Sequence, residues 1–278
     1  MADHRPEEAD VASAWNRNAD RWTDDVRAGF DLYRDLYTLP AFTAFMPPID
    51  GRKVIDLGCG EGSDTRRFAR LGGQLTGIDL SEALIRRARE EEIREPLGIR
   101  YEVCSYSRME AFAAGSFDCA LSTMALMDGP DIVSAMLEAH RVLAPGGTLC
   151  FSVLHPCFVT RGLEWLRSAD GACSGLQVGH YFNKAPFVEH WRFSKRPEPN
   201  TVQPFEVPRF PRTLSDYVNT VCDAGFRITK IDEPRPDKVA SQKHAWLSRW
   251  YEHAPLVLFI AALKVGAESS RSLTATSR

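Results

Sequence analysis

Val54-Ile55-Asp56-Leu57-Gly58-Cys59-Gly60-Glu61-Gly62 is the stretch on which the reading of this chain turns. It opens as a short apolar run, the pattern of a strand buried in a parallel sheet. It closes in glycines at alternate positions, and then Ser63-Asp64-Thr65 leads into a helical pattern with Phe68, Ala69 and Leu71 apolar. A strand, a glycine turn and a helix N-terminus together make a nucleotide-type site. Glycine lets the backbone turn sharply and lets a ligand approach with no Cβ in the way. About twenty residues on, the interval usual for a ribose-binding acid, Gln74-Leu75-Thr76-Gly77-Ile78-Asp79-Leu80 reads as a second strand ending in a carboxylate. The glycine spacing is G-x-G-x-G, whereas a dinucleotide fingerprint has G-x-G-x-x-G. Asp56, two residues before the first glycine, favours a cationic ligand over a pyrophosphate.

Outward from this pair of strands the pattern alternates strand and helix from residue 51 to about 155, which implies a parallel sheet. Ser81 has the position of an N-cap for a helix over Glu82–Glu92. Ile99–Cys104 reads as a third strand, Phe117–Ser122 as a fourth and Thr148–Leu154 as a fifth, with a helix over Ile132–Leu143 and the turn Ala144-Pro145-Gly146-Gly147 between them. The fifth strand runs into His155. Ligands in such folds bind beyond the carboxyl ends of the strands, so His155 is either a general base or a packed structural imidazole.

The run from Val54 through Asp79, together with Leu143-Ala144-Pro145-Gly146-Gly147, resembles the class I S-adenosylmethionine (SAM) dependent methyltransferases, small-molecule subgroup. The resemblance covers about residues 50 to 265. It implies a Rossmann-like α/β fold: a seven-stranded, mostly parallel sheet with helices on both faces and the last strand antiparallel. It implies SAM as cofactor and methyl transfer to an O, N or C nucleophile of a small, partly apolar or aromatic molecule, in the manner of secondary-metabolite biosynthesis. Cofactor residues by this resemblance are Asp56, Gly58, Cys59, Gly60, Gly62, Asp79, Leu80, Ser105, Tyr106 and Thr123. An acid commonly follows the third strand and contacts the adenine amine; here Ser105-Tyr106 stands instead, with Met109 as a cover for the ring. The loop Thr123–Asp128 usually borders both cofactor and substrate. Rival readings are a methyltransferase of tRNA or protein, and a SAM-binding regulator without turnover.

The remaining segments read as covers. Residues 1 to about 10 read as a disordered tail. Val11–Val26 reads as an amphipathic helix with Trp15 and Trp22 near one face. Trp15 and Asn16 line the SAM site by the resemblance, or the two tryptophans simply pack the helix down. Phe30–Phe45 forms a second cover ending at Pro47-Pro48, which makes residues 1–50 an N-terminal helical cover. From Thr160 to Pro211 regular periodicity disappears amid aromatics, glycine and proline. A loop of that length is usually a lid or binding element, so 160–210 reads as a substrate cap inside a SAM-binding domain of 51–265. Tyr106 and the cap's His180, Tyr181 and His190 join His155 as candidate catalytic groups. No metal spacing links His155, His180 and His190, so no metal site is expected. Arg212–Val218 opens a helix capped by Thr213 that Gly225 ends, Phe226–Ile231 is a strand, Lys243–Tyr251 a helix and Pro255–Lys264 the last strand. Residues 266–278 read as a disordered tail.

Composition is that of a globular chain able to bury a full core. The 278 residues are 44% hydrophobic with a net charge of -3, which argues against a nucleic-acid binder as a whole. Seven scattered cysteines without a C-x-x-C pair point to a reducing cytoplasm. Met1–Glu8 is polar and acidic, so no signal peptide is expected, and no apolar run reaches membrane-spanning length. A homo-oligomer is left open.

Overall fold

The computed structural model describes residues 6–193 and 195–265. The expected tail over 266–278 lies outside the described residues, as do residues 1–5 of the expected first tail. The first helix begins earlier than the sequence pattern suggested: α1 spans Glu8–Arg27, and the Glu7 backbone N–H donates to Asp10 at 2.8 Å to close its first turn.

A single sheet organises the rest. In chain order its strands are β1 (Lys53–Leu57), β2 (Gln74–Asp79), β3 (Arg100–Val103), β4 (Phe117–Thr123) and β5 (Leu143–Leu154). Four shorter strands lie outside it, β6 (Glu164–Arg167), β7 (Cys173–Gln177), β8 (Phe187–Trp191) and β9 (Phe205–Arg209), and the sheet is completed by β10 (Phe226–Asp232) and β11 (Val257–Lys264). The spatial order is β10-β11-β5-β4-β1-β2-β3 across seven strands. The pairs β1–β2, β1–β4, β2–β3 and β4–β5 are parallel, and β11 runs antiparallel to both its neighbours. The helices are α2 (Leu39–Phe45), α3 (Ser63–Arg70), α4 (Glu82–Arg94), α5 (Ile132–Val142), α6 (Leu214–Asp223), α7 (Lys238–Lys243) and α8 (Ala245–Glu252).

Two cores lie on the two faces because successive residues of a strand point to opposite sides. On β11, Leu258, Ile260 and Ala262 join the core under α5 and α6, while Val257, Phe259 and Ala261 join the core under α2, α3 and α8. Phe42 and Phe45 meet Phe259 edge-on or tilted at 5.4 Å between centroids, which is how the N-terminal cover is held to the sheet. A third cluster contains Val26, Phe193, Phe205 and Val207, with Trp15, Trp22, Phe30 and Trp191 packed on it. It ties α1 to the cap.

Residues 160–211 correct the expectation of an aperiodic loop. They carry two antiparallel ribbons, β6–β7 and β8–β9. The alternation in β8 and β9 was hidden because its inward positions include charged residues: Glu189 accepts from Arg209 Nε at 2.5 Å across the ribbon. The helix expected over Lys243–Tyr251 is two, with a break at His244. The cover over Phe30–Phe45 begins with a π-helical turn at Arg34–Thr38 before α2, a geometry frequent at functional sites.

Candidate active site

The carboxyl ends of β1, β2, β4 and β5 open into a cavity of about 600 Å³ roofed by α1, the π-helical turn, the β8–β9 ribbon and α8. Its floor is the glycine loop. Gly58 and Cys59 donate their backbone N–H groups to the Ile78 carbonyl at 2.8 and 2.9 Å, which stitches the loop to β2. Gly60 donates to Asp79 Oδ2 at 3.0 Å, and Ser81 donates to Asp79 Oδ1 at 2.8 Å. Each Asp79 oxygen therefore keeps a further lone pair for a ligand. Gly58 has φ +78°, and a Cβ there would stand 2.4 Å from the Ala125 Cβ; the turn closes only with glycine. At Gly60 a Cβ would enter open space, with nothing within 4 Å.

Around this floor the wall is acidic. Asp31, Glu61, Asp64 and Asp79 all line the cavity. Burial pushes each carboxyl above its ordinary range, Asp31 to about 6. Arg34 sits among them: its Nε lies 3.7 Å from Asp64 and its Nη1 3.9 Å from Glu61, and its backbone N–H donates to Asp31 at 3.2 Å. Several buried carboxylates around one cleft suit a ligand that brings positive charge, as a sulfonium and an α-ammonium do. The open space over Gly60 and the spare lone pairs of Asp79 fit the same ligand.

The opposite wall is aromatic. Trp15 and Trp22 of α1, Trp191 and Phe193 of the cap, and Trp246 and Trp250 of α8 face the cavity. Trp22 meets Trp15, Trp191, Phe193 and Phe205 with centroids 5.1 to 5.6 Å apart, in the edge-on or tilted arrangements that aromatic rings favour. Between the two walls Arg209 is locked in ion pairs to Asp128 and Glu189. Burial pushes Asp128 up to about 6 although Arg209 pulls it down.

Residues 55–151 match a family model described as a methyltransferase domain. A SAM-dependent methyltransferase from Mesorhizobium loti superposes with a TM-score of 0.65 at 26% identity, covering 81% of this chain and 96% of that one. These matches support a class I SAM-dependent methyltransferase. An uncharacterized protein of Haemophilus influenzae is 24% identical over 249 residues, 86% of this chain and 92% of that protein. The ubiquinone biosynthesis O-methyltransferase of Nitrosococcus oceani is 37% identical over 105 residues, which span 38% of this chain and only 44% of that enzyme.

In this methyltransferase Trp15, Gly58, Cys59, Gly60, Asp79, Leu80, Tyr106 and Thr123 are brought together at the cavity. Trp15 both lines it and packs on Trp22 at 5.1 Å. Other residues expected at the site stand elsewhere. Asp56 is buried behind the glycine loop, where its Oδ2 accepts from Thr65 Oγ1 at 2.6 Å; it anchors the first turn of α3. Its Oδ1 finds no partner among the described residues, and burial pushes the carboxyl up to about 7. Gly62 is the left-handed N-cap of α3, with φ +86°, packed on the Tyr101 hydroxyl. Ser105 is turned toward α1, where its Oγ donates to Glu8 at 2.7 Å. Met109 is fully buried in the core under α5. Asn16 does not line the cavity: its Oδ1 accepts from Ser81 Oγ at 2.8 Å and from the Ala83 N–H at 3.1 Å, which ties α1 to the start of α4.

Of the candidate catalytic groups Tyr106 lines the cavity, and His155, His180, Tyr181 and His190 lie outside its lining. His155 is 1% exposed. Its Nε2 lies 2.6 Å from Glu233 Oε1, and its Nδ1 accepts from the Cys157 backbone N–H at 3.2 Å. Accepting at Nδ1 makes Nε2 the donor, so neither nitrogen is free to take a substrate proton. Burial lowers its pKa, against the pull of Glu233. Tyr181 uses its Oη to accept from the Leu214 N–H at 2.9 Å. His180 and His190 are exposed. No group of His, Cys, Asp and Glu suited to a metal occurs among the described residues. The sequence reading passed over Asp31 and Arg34 in the cover and Trp246, Arg249 and Trp250 on α8. Their signal was charge set inside aromatic helical stretches, where a purely packing face would be apolar.

Proposed function

We propose that this methyltransferase moves the methyl group of SAM to an O, N or C nucleophile of a small, partly apolar or aromatic molecule. The observation that carries the reading is the two-walled cavity: buried carboxylates over the glycine loop on one side, tryptophans of α1, the cap and α8 on the other. SAM brings an activated methyl on a sulfonium, so the chain's own task is to bind, align and dry the partners. Asp79 would accept from the ribose, Leu80 and Tyr106 would face the base, and Asp31, Glu61 and Asp64 would answer the positive charges. Residues 1–50 would act as a cover, 160–210 as the substrate cap, and the rest of 51–265 as the cofactor-binding unit. Where the acceptor must lose a proton, Asp31 or Asp128, both cavity carboxyls raised to about 6, would take it. The seven cysteines are all free, which supports work in the reducing cytoplasm. No helix among the described residues is long and apolar enough to cross a membrane.

The test is a SAM-consumption screen over pooled metabolites with mass detection of the methylated product and of S-adenosylhomocysteine (SAH). A product of small mass bears the reading out. Turnover only on tRNA or protein, or tight SAM binding with no turnover on any pool, would overturn it.

A further inference from the structure

Three residues on one face of α8, Trp246, Arg249 and Trp250, stand at helical spacings that bring side chains together, and all three line the cavity. Each carries a buried N–H with no acceptor among the described residues: Nε1 of Trp246, Nε of Arg249 and Nε1 of Trp250. Buried donors are rarely left so. Arg249 also has no carboxylate partner among the described residues, unlike Arg34 and Arg209, which share the cavity wall. It is nevertheless held in place. Its Nη2 donates to Tyr33 Oη at 3.1 Å, and its guanidinium lies 4.8 Å from the Trp165 ring centroid and 5.8 Å from that of Trp250. A second cation, Lys195 of the cap, lines the same cavity and lies 5.5 Å from the Trp246 ring.

The sheet separates this donor cluster from the acidic floor. Alpha helix α8 leads directly into β11, and Leu256 between them lines the cavity with Leu154 at the end of β5. Asp79 ends β2, and in the observed order β11 and β2 are four strand spacings apart, roughly 19 Å. The β2 end of the cavity offers the Asp79 carboxylate, whereas the α8 end gathers Trp246, Arg249, Trp250 and Lys195, donors and cations that suit acceptor oxygens.

Resting on the reading of the cavity as a methyl-transfer site, we propose that Arg249, with the indole N–H groups of Trp246 and Trp250, is the specificity determinant for an acceptor substrate that carries an oxyanion, a carboxylate or a phosphate, on an apolar or aromatic body. A planar guanidinium pinned by Tyr33 and two indole rings presents a preformed fork to such a group, while the rings hold the body. The cofactor's own carboxylate is the other source of the same chemistry, and the test separates them.

The probes are benzoate, 4-hydroxybenzoate and phenyl phosphate, with benzamide and the methyl ester of 4-hydroxybenzoate as uncharged counterparts. Each is titrated by calorimetry into the full chain with and without saturating SAH. The SAH-loaded parent should bind at least one anion ten times more tightly than its uncharged counterpart. Arg249→Met should abolish that preference while SAH affinity changes less than twofold, and Arg249→Lys should keep part of it. Trp250→Phe, which keeps the ring and removes the N–H, should weaken the anion and leave the neutral probe unchanged. No anion preference in the parent, or a preference that Arg249→Met retains, overturns the proposal. A tenfold loss of SAH affinity in Arg249→Met overturns it too, by giving the guanidinium to the cofactor. Failure of the parent to bind SAH at all would instead strike the methyl-transfer reading itself.

Discussion

Replacing Arg209 by methionine tests how the cap is locked to the body of the enzyme. Methionine keeps much of the apolar stem and removes the guanidinium that pairs with Asp128 and Glu189. Glu189 is 34% exposed and can turn to water, whereas the Asp128 side chain is 9% exposed and cannot. Stranding one member of a buried pair costs about 3–5 kcal/mol. The cost should depend on pH in a defined direction. The folded-state pKa of Asp128 is already raised from 3.8 to about 6, so the folded protein holds this proton more tightly than the unfolded chain. Stability from this group therefore falls as pH rises through that window, and in the parent the fall is complete just above pH 6. Arg209 lowers the Asp128 pKa, so without it the window extends upward. The gap between parent and variant should then widen from pH 6 to pH 8, by up to about 1.4 kcal/mol per pH unit. Urea unfolding followed by tryptophan fluorescence at pH 6, 7 and 8 measures it. A penalty that is the same at all three pH values would refute the reasoning, because it would mean lost packing and not a stranded carboxylate.

Other outcomes follow from single contacts. Asp79→Ala removes both acceptors of the Gly60 and Ser81 N–H groups and should weaken SAH by about 1–3 kcal/mol in calorimetry; unchanged affinity in a folded variant would remove Asp79 from the cofactor site. His155→Ala should lower the melting temperature by several degrees, from a loss of about 1–3 kcal/mol, yet retain turnover of whatever acceptor the screen finds; a loss of turnover at full stability would restore it as the base. Its depressed folded pKa also gives a sign: the unfolded chain binds the proton more readily, so the stability carried by the neutral ring is present above the ordinary 6.5 and declines as pH falls below it. A denaturation series from pH 8 to 5.5 should show a flatter acid limb in His155→Gln than in the parent. Gly58→Ala would put a Cβ 2.4 Å from the Ala125 Cβ and hold an L-residue at φ +78°, so it should cost at least about 1–2 kcal/mol and reduce SAH binding in the same titration.

The alternation of strand and helix and the glycine loop were readable from the chain because both are local, while the seven-stranded sheet followed from the family resemblance. An apolar run, a turn that only glycine can make and a carboxylate at the end of the next strand are neighbours in sequence, and the sheet places them side by side without help from distant segments. Gly58, Gly60 and Asp79 reached the cavity for that reason. His155 shows where such reasoning stops. Its position after β5 was read correctly, but which way an imidazole turns depends on Glu233, distant in sequence and brought alongside by β10. Ser105 likewise followed the third strand as expected, and Glu8 of α1 drew it away. The donors of α8 left only a charge among aromatics as a local sign, and nothing local joined them to the rest of the aromatic wall. Trp22, Trp191 and Trp250 come from three separate stretches, and only the closure of α1, the β8–β9 ribbon and α8 over the sheet made them one surface. The chain's periodicity thus determined where the cofactor's end of the site would be. The direction of each side chain, and with it the acceptor's end, was decided by packing between segments that only the tertiary structure brings into contact.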